Sequence, residues 1–277
     1  MPNTYVFSDI HGMWDLYRAI MDYCHEQDPK ATIIFLGDAC DRGPDGYRIM
    51  KELLDDPQVV YLIGNHEDMF TKAARTIKQM FNFENTDRER VKTVLSAYKN
   101  FDYKYAAIQD SLYNGGLPTL LDWIMDGMPM NLIEHIEKLP RTFSIGNCDF
   151  CHSGGLYNTF KRVADCEYNN LPIEPWDGDA IIWNRSALNI GWAPNRIVIF
   201  GHTPTPYLPD YTDVQVNEIQ PVKYISTSNP AYTGEKLDMD TGAAFTGVAY
   251  VLNVSTMQTQ GFELKDNQVK KIEVIQF

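Results

Sequence analysis

No stretch of this sequence approaches the roughly 20 consecutive apolar residues that a membrane-spanning helix requires, so no membrane partner is expected. Positive charge is scarce as well. Lys and Arg number 24 against 37 Asp and Glu, a net charge of −13. Affinity for a nucleic-acid backbone comes mainly from Lys and Arg, so nucleic acid is not an expected partner either. Cysteine is sparse. Cys24, Cys40, Cys148, Cys151 and Cys166 are odd in number and irregular in spacing, which does not describe a disulfide framework. The opening "MPNTYVFSDIHG" has a strand pattern, without the basic region and apolar stretch of a signal peptide. A reducing cytoplasm is the compartment these features suggest. Cys148 and Cys151 form a Cys-x-x-Cys pair, but they lie in a strand-like run without a second pair. They read as buried, inert thiols rather than as a zinc or redox motif.

What the sequence does have is 44% apolar residues and a length of 277, enough for a sizeable core in one large α/β domain or two small ones. "NTYVFS", "ATIIFLGD" and "QVVYLIGNH" read as short buried strands. Between the first two, Trp14, Leu16, Tyr17, Ile20, Met21 and Cys24 recur at helical spacing. Residues 46–55 suit a second helix ended near Pro57, and "EDMFTKAARTIKQMF" a third. This alternation predicts an α/β fold with parallel strands. From about 80 to 140, charge and helical periodicity increase, with element ends uncertain by a few residues. We read this as a helical insertion within a single domain spanning 1–277. "RTFSIGNCDFCHSGG" returns to strand, with a hairpin turn at Gly146-Asn147. "NRIVIFGHTPT" is another strand, and from about 213 the chain reads mostly as strands.

The apolar strands end in polar clusters: "SDIHG", "GDACDRG", "GNHE", "HSGG" and "GHT". In open α/β sheets, functional groups gather at the carboxyl ends of the strands. Four of the six histidines, His11, His66, His152 and His202, fall in these clusters, whereas His25 and His135 lie in helical segments and read as ordinary residues. Carboxylate, imidazole and amide oxygen without thiolate suit hard or borderline divalent ions: Mn²⁺, with Fe or Zn²⁺ as alternatives. Two ions about 3.5–4 Å apart need a bridging carboxylate. One arrangement uses every group: Asp9 and His11 hold the first ion, Asp38 bridges, and Asn65, His152 and His202 hold the second.

These five motifs, in this order, resemble the PPP-type phosphoprotein phosphatases within the calcineurin-like metallophosphoesterases. "GDxxDRG" and "GNHE" are the specific ones, and the set spans residues 8–203. The resemblance implies a β-sandwich flanked by helices, with a dimetal site at one edge, and the same six ligands as above. It implies His66 as general acid oriented by Asp41, with phosphate bound by Arg42, Asn65 and Arg185. The implied reaction is attack by a dimetal-bridging hydroxide on a phosphomonoester, most naturally phosphoserine or phosphothreonine on a protein. Symmetrical dinucleoside tetraphosphate hydrolases resemble the same motif set and are the alternative. A non-catalytic metal-binding scaffold is a third reading, disfavoured because every ligand and the acid are present. The sequence departs from the best-known eukaryotic members in Ser8, where Gly is usual, and in "LDMDTGAAF", which stands where their tail motifs would be. Bacterial and phage-like members look closer.

Other features have plainer readings. "DTGA", Asp240 to Ala243, has the form of an aspartic-protease loop, but such enzymes need two aspartates and no second copy exists. A structural Asp in a turn is expected instead. Asp45, beside Pro44, is expected to cap the following helix. Glu67 suits the first turn of a helix better than a catalytic role. Trp176, Trp183 and Trp192 are expected to fill core.

Overall fold

The computed structural model describes residues 2–98, 105–154, 180–185, 188, 195–225 and 234–277. Gly155, Cys166, Trp176 and Trp192 lie outside them. The predicted strands form as β1 (Thr4–Phe7), β2 (Thr32–Phe35) and β3 (Val59–Tyr61), separated by α1 (Trp14–Gln27) and α2 (Gly46–Asp55) and followed by α3 (Asn65–Met80). The segment read as an insertion carries α4 (Arg88–Ala97), α5 (Ala106–Tyr113), α6 (Leu117–Met125) and α7 (Met130–Ile136). The hairpin at Gly146-Asn147 joins β4 (Thr142–Ile145) and β5 (Cys148–Cys151). Then come β6 (Ile197–Phe200), β7 (Val222–Ile225), β8 (Glu235–Asp238), β9 (Val248–Asn253), β10 (Gln258–Lys265) and β11 (Gln268–Gln276).

Among the described residues the strands form two sheets. One runs β11-β10-β9-β1-β2-β3 and the other β4-β5-β6-β8-β7. The pairs β1–β2 and β2–β3 are parallel, as the alternation predicts, while β9, β10 and β11 extend that sheet antiparallel. Side chains alternate between faces along a strand, and both faces here are buried. Val6, Ile34 and Leu36 point between the sheets, where they meet Phe150, Ile197, Ile199 and Leu237. Tyr5, Phe7, Ile33 and Phe35 point to the other face, where they meet Leu16, Tyr17 and Ile20 of α1 and Ile49 and Met50 of α2. Burial on both faces explains why these strands read as continuous apolar runs. The result is a mixed α/β sandwich flanked by helices.

Two expectations need correction. Asp45 sits at the N-cap position of α2, but its side chain makes no capping hydrogen bond. Trp183 is 38% exposed rather than core, because it ends the short helix Ala180–Trp183, with its ring edge-on to His202. Strand β8 was also missed. "EKLD" carries two charges, and the buried setting of Lys236 and Asp238 comes from the neighbouring strands rather than from their own polarity.

Candidate metal centre

The parallel strands stop short and hand over to loops at one edge of the sandwich. The chain there adopts a conformation that most residues avoid. Asp9, His11, Asp38, Asp41, Arg42 and His202 all have positive φ, between 43° and 72°. Such backbone costs about 1–3 kcal/mol per residue and persists only where its surroundings enforce it. Two glycines show what enforces it here. A Cβ on Gly64 would collide with Asp38 Oδ1, and one on Gly201 with Asp9 Oδ2. The loops are packed so closely that only glycine fits beside these carboxylates.

Asp38 is the centre of the cluster. Its Oδ2 lies 3.6 Å from His11 Nε2 and 3.8 Å from His66 Nε2, and its Oδ1 lies 3.4 Å from His152 Nε2. Asn65 Oδ1 lies 2.9 Å from His152 Nε2 and 2.8 Å from His202 Nδ1. Asp9 accepts from the backbone amide of His202 at 3.2 and 3.1 Å through its two oxygens, and from the Ser8 hydroxyl. Arg185 stands at the border, where its Nη2 donates to the His202 carbonyl at 3.1 Å. Loops more than a hundred residues apart in sequence thus deliver the predicted residues to one place. All of the predicted ligands are buried.

These residues fit a bound cation. His11–Asp38–His66 and Asp38–His152–His202 each bring three donor atoms within 4.8 Å of one another. His11 Nε2 and His202 Nε2 are buried and have no hydrogen-bond partner. A buried polar atom left unpaired costs about 1–3 kcal/mol, which coordination would remove. The Nδ1 atoms of His11 and His152 face backbone carbonyls. His11 Nδ1 lies 2.8 Å from the Cys40 carbonyl and His152 Nδ1 lies 2.9 Å from the Leu36 carbonyl. Backbone carbonyls of this kind fix the ring and the tautomer of a metal-binding imidazole. Burial, reinforced by His66 and Arg42, holds the His11 pKa well below its ordinary value. Burial and His152 do the same for His202. Both imidazoles are therefore neutral, the form that ligates a metal. Burial opposes ionisation of Asp38, but the imidazoles of His152 and His66 outweigh it and hold the carboxyl well below the usual range.

His66 belongs to the first cluster geometrically, yet both its ring nitrogens are taken. Nδ1 lies 2.8 Å from Asp41 Oδ2, and Nε2 lies 3.1 Å from Arg42 Nη2. Burial pulls the His66 pKa down, but Asp38 and Asp41 more than compensate and raise it above its ordinary value.

A profile of the family described as calcineurin-like phosphoesterase matches residues 2–230. The chain belongs to the calcineurin-like phosphoesterase family. Among curated relatives, the symmetrical bis(5'-nucleosyl)-tetraphosphatase of Buchnera aphidicola subsp. Acyrthosiphon pisum (strain 5A) is 33% identical over 66 residues, 24% of this chain and 24% of that protein. The match thus spans about a quarter of the relative's length. A crystal structure of a protein provisionally named a diadenosine tetraphosphatase superposes with a TM-score of 0.50 at 12% identity, covering 98% of this chain and 95% of that one. A metallophosphoesterase from Sphaerobacter thermophilus gives 0.46 at 15% identity, over 98% and 88% of the two chains. At such identities the likeness concerns the fold alone.

Sequence reasoning missed the supports of this calcineurin-like centre. Asp41 N donates to Thr119 Oγ1 at 3.0 Å, and Arg42 N donates to the Gly115 carbonyl at 3.0 Å. Both acceptors belong to the helical segment that carries α5 and α6, so that segment holds the Asp41–Arg42 loop in place. No motif flags Thr119. Glu67 was read correctly as a first-turn acid of α3, but it also binds the Asp38 loop. Asp240 closes a turn, its Oδ1 accepting from Gly242 N at 2.8 Å.

Proposed function

We propose that this chain hydrolyses phosphoesters at two divalent ions held by Asp9, His11, Asp38, Asn65, His152 and His202, with Asp38 between them and His66 as the general acid. Manganese is the proposed ion, on the hardness of the donor set. The whole chain, residues 1–277, acts in this reading as one domain with a helical insertion. The observation that carries the reading is His66, an imidazole held by a carboxylate at one nitrogen and by a guanidinium at the other, beside Asp38.

The ions, when bound, activate the attacking water and share the negative charge of the transition state. The chain's own residues do the rest. Asp41 accepts from His66 Nδ1–H, which turns Nε2 toward the reacting side. Arg42 donates to that same Nε2. A phosphate oxygen engaged by Arg42 draws the guanidinium away, so that Nε2, whose lone pair Arg42 had occupied, takes up a proton from solvent and then delivers it to the departing oxygen. A guanidinium suits this exchange because its fork matches two phosphate oxygens. Asn65 and Arg185 complete the phosphate cradle in this reading.

Two substrate readings each have their own support. The "GDxxDRG" and "GNHE" motifs of PPP-type phosphatases support phosphoserine and phosphothreonine on proteins. The curated relatives, symmetrical bis(5'-nucleosyl)-tetraphosphatases, support a dinucleoside tetraphosphate. Metal-loaded protein assayed on a phosphopeptide and on diadenosine tetraphosphate separates them. Phosphate released from the peptide alone supports the first, and ADP from the dinucleotide alone supports the second. No turnover of either, with both ions bound, overturns both substrate readings.

A further inference from the structure

Phe245 is 59% exposed, although burial of such an apolar ring is favourable. It does not hang on a loose loop. Its one-turn helix, Ala243–Thr246, lies between Gly242 and Gly247, both left-handed at φ 74° and 71°. Thr241 Oγ1 donates to the Val248 carbonyl at 2.7 Å, and Thr246 Oγ1 donates to the Thr241 carbonyl at 3.1 Å. Ala243 and Thr241 are buried. The backbone is tied down on both sides, and the ring is held outward from a fixed support.

The ring stands over Arg42, whose Cζ is 5.0 Å from its centroid, within the range of cation–π attraction. Arg42 Nη2 is in turn 3.1 Å from His66 Nε2. A general acid faces the oxygen that departs. Phe245 therefore borders the side of the site from which the leaving group extends. A rigid, exposed aromatic face beside a guanidinium plane has one evident use at that position, which is to stack a flat ring.

We propose that Phe245 and Arg42 form a stacking subsite for a planar ring carried by the leaving group. This rests on the phosphoester-hydrolase reading and adds the class of leaving group to it: a nucleotide or an aryl group, in preference to the aliphatic side chains of serine and threonine.

The test compares kcat/KM for diadenosine tetraphosphate, p-nitrophenyl phosphate and β-glycerophosphate in the metal-loaded wild type, Phe245→Ala, Phe245→Leu and Phe245→Trp. Loss of one stacked ring lowers the preference for a ring-bearing substrate over β-glycerophosphate by about tenfold in Phe245→Ala, mostly through KM. Phe245→Trp retains the preference. Phe245→Leu, which keeps apolar bulk without a flat face, loses most of it. A loss confined to the dinucleotide identifies the ring as a nucleobase, and one confined to the nitrophenyl ester identifies it as an aryl group. Equal loss on all three substrates, as displacement of Arg42 would give, overturns the subsite, and so does an unchanged ratio. Calorimetric binding of AMP and of inorganic phosphate provides an arm without turnover. AMP affinity falls about tenfold in Phe245→Ala while phosphate affinity does not follow it, and equal changes again overturn the subsite. If the wild type turns over none of the three esters, the hydrolase reading fails, while the binding arm still decides the subsite.

Discussion

Glu67 Oε2 accepts a hydrogen bond from the backbone amide of Asp38 at 2.8 Å. The same carboxylate accepts from Gly64 N at 2.9 Å, from Ala39 N at 2.7 Å and from the Tyr61 hydroxyl at 2.8 Å. An acid in the first turn of α3 is thus the tie between that helix and the loop after β2. Asp38 keeps its left-handed backbone because Glu67 holds the amides on either side of its Cα.

Glu67→Gln replaces one acceptor oxygen with an amide that meets a backbone N–H. Groups that orient metal ligands usually cost about 10–100-fold in affinity or activity when changed. We expect that loss in Mn²⁺ affinity by calorimetry, with partial recovery of turnover at high Mn²⁺. Wild-type affinity in the variant would mean that Glu67 serves helix α3 alone.

His66 loses burial's contest against Asp38 and Asp41, and its pKa stands above the ordinary value near 6.5. The protonated acid therefore persists below that raised pKa, and kcat falls as pH rises through it. The alkaline limb of the profile of metal-loaded enzyme should lie above pH ~6.5. Asp41→Asn removes the charge behind Nδ1 and moves the limb to lower pH by about one unit. His66→Asn cuts kcat by roughly 10²–10⁴-fold with metal content retained. Full turnover in that variant would take the acid role away from His66.

Among the described residues Asp38 is shared by both histidine groups, so its neutralisation should affect both ions. Asp38→Asn is expected to lower the metal-to-protein ratio of purified protein, measured by elemental analysis. Added Mn²⁺ should raise the melting temperature of the wild type, since a ligand of the folded state stabilises it by mass action. The variant should show a smaller rise. Two ions per chain in Asp38→Asn would remove the bridging role.

Far from this site, Arg196 donates from Nε to Asp149 Oδ2 at 2.6 Å and from Nη2 to Oδ1, so that both carboxylate oxygens are engaged. Asp149 is buried in β5 beside β6. Arg196→Leu removes both of these charge-assisted bonds, while the Ser144 hydroxyl donor at 2.7 Å stays in place. The expected loss is about 1–3 kcal/mol in urea unfolding, with metal content unaltered. A stability change below about 0.5 kcal/mol would show the pair to be a surface contact.

The sequence by itself determined most of the elements and the kinds of group that end the strands. Short β-branched apolar runs such as "ATIIFL" read as strands buried on both faces, and the polar clusters that end them bring acids and imidazoles to the edge of a sheet. Those are local consequences of side-chain type and period, so they are legible without coordinates. Only the tertiary structure decided which groups meet. That Glu67 clamps Asp38, that Gly115 and Thr119 beside α5 and α6 hold Arg42 and Asp41, and that Phe245 stands over Arg42 depend on loops joined through space. Hydrogen bonds and ring contacts between segments tens to hundreds of residues apart leave no periodic trace in a chain. They are set by the packing of two sheets, and no single stretch of sequence specifies that packing.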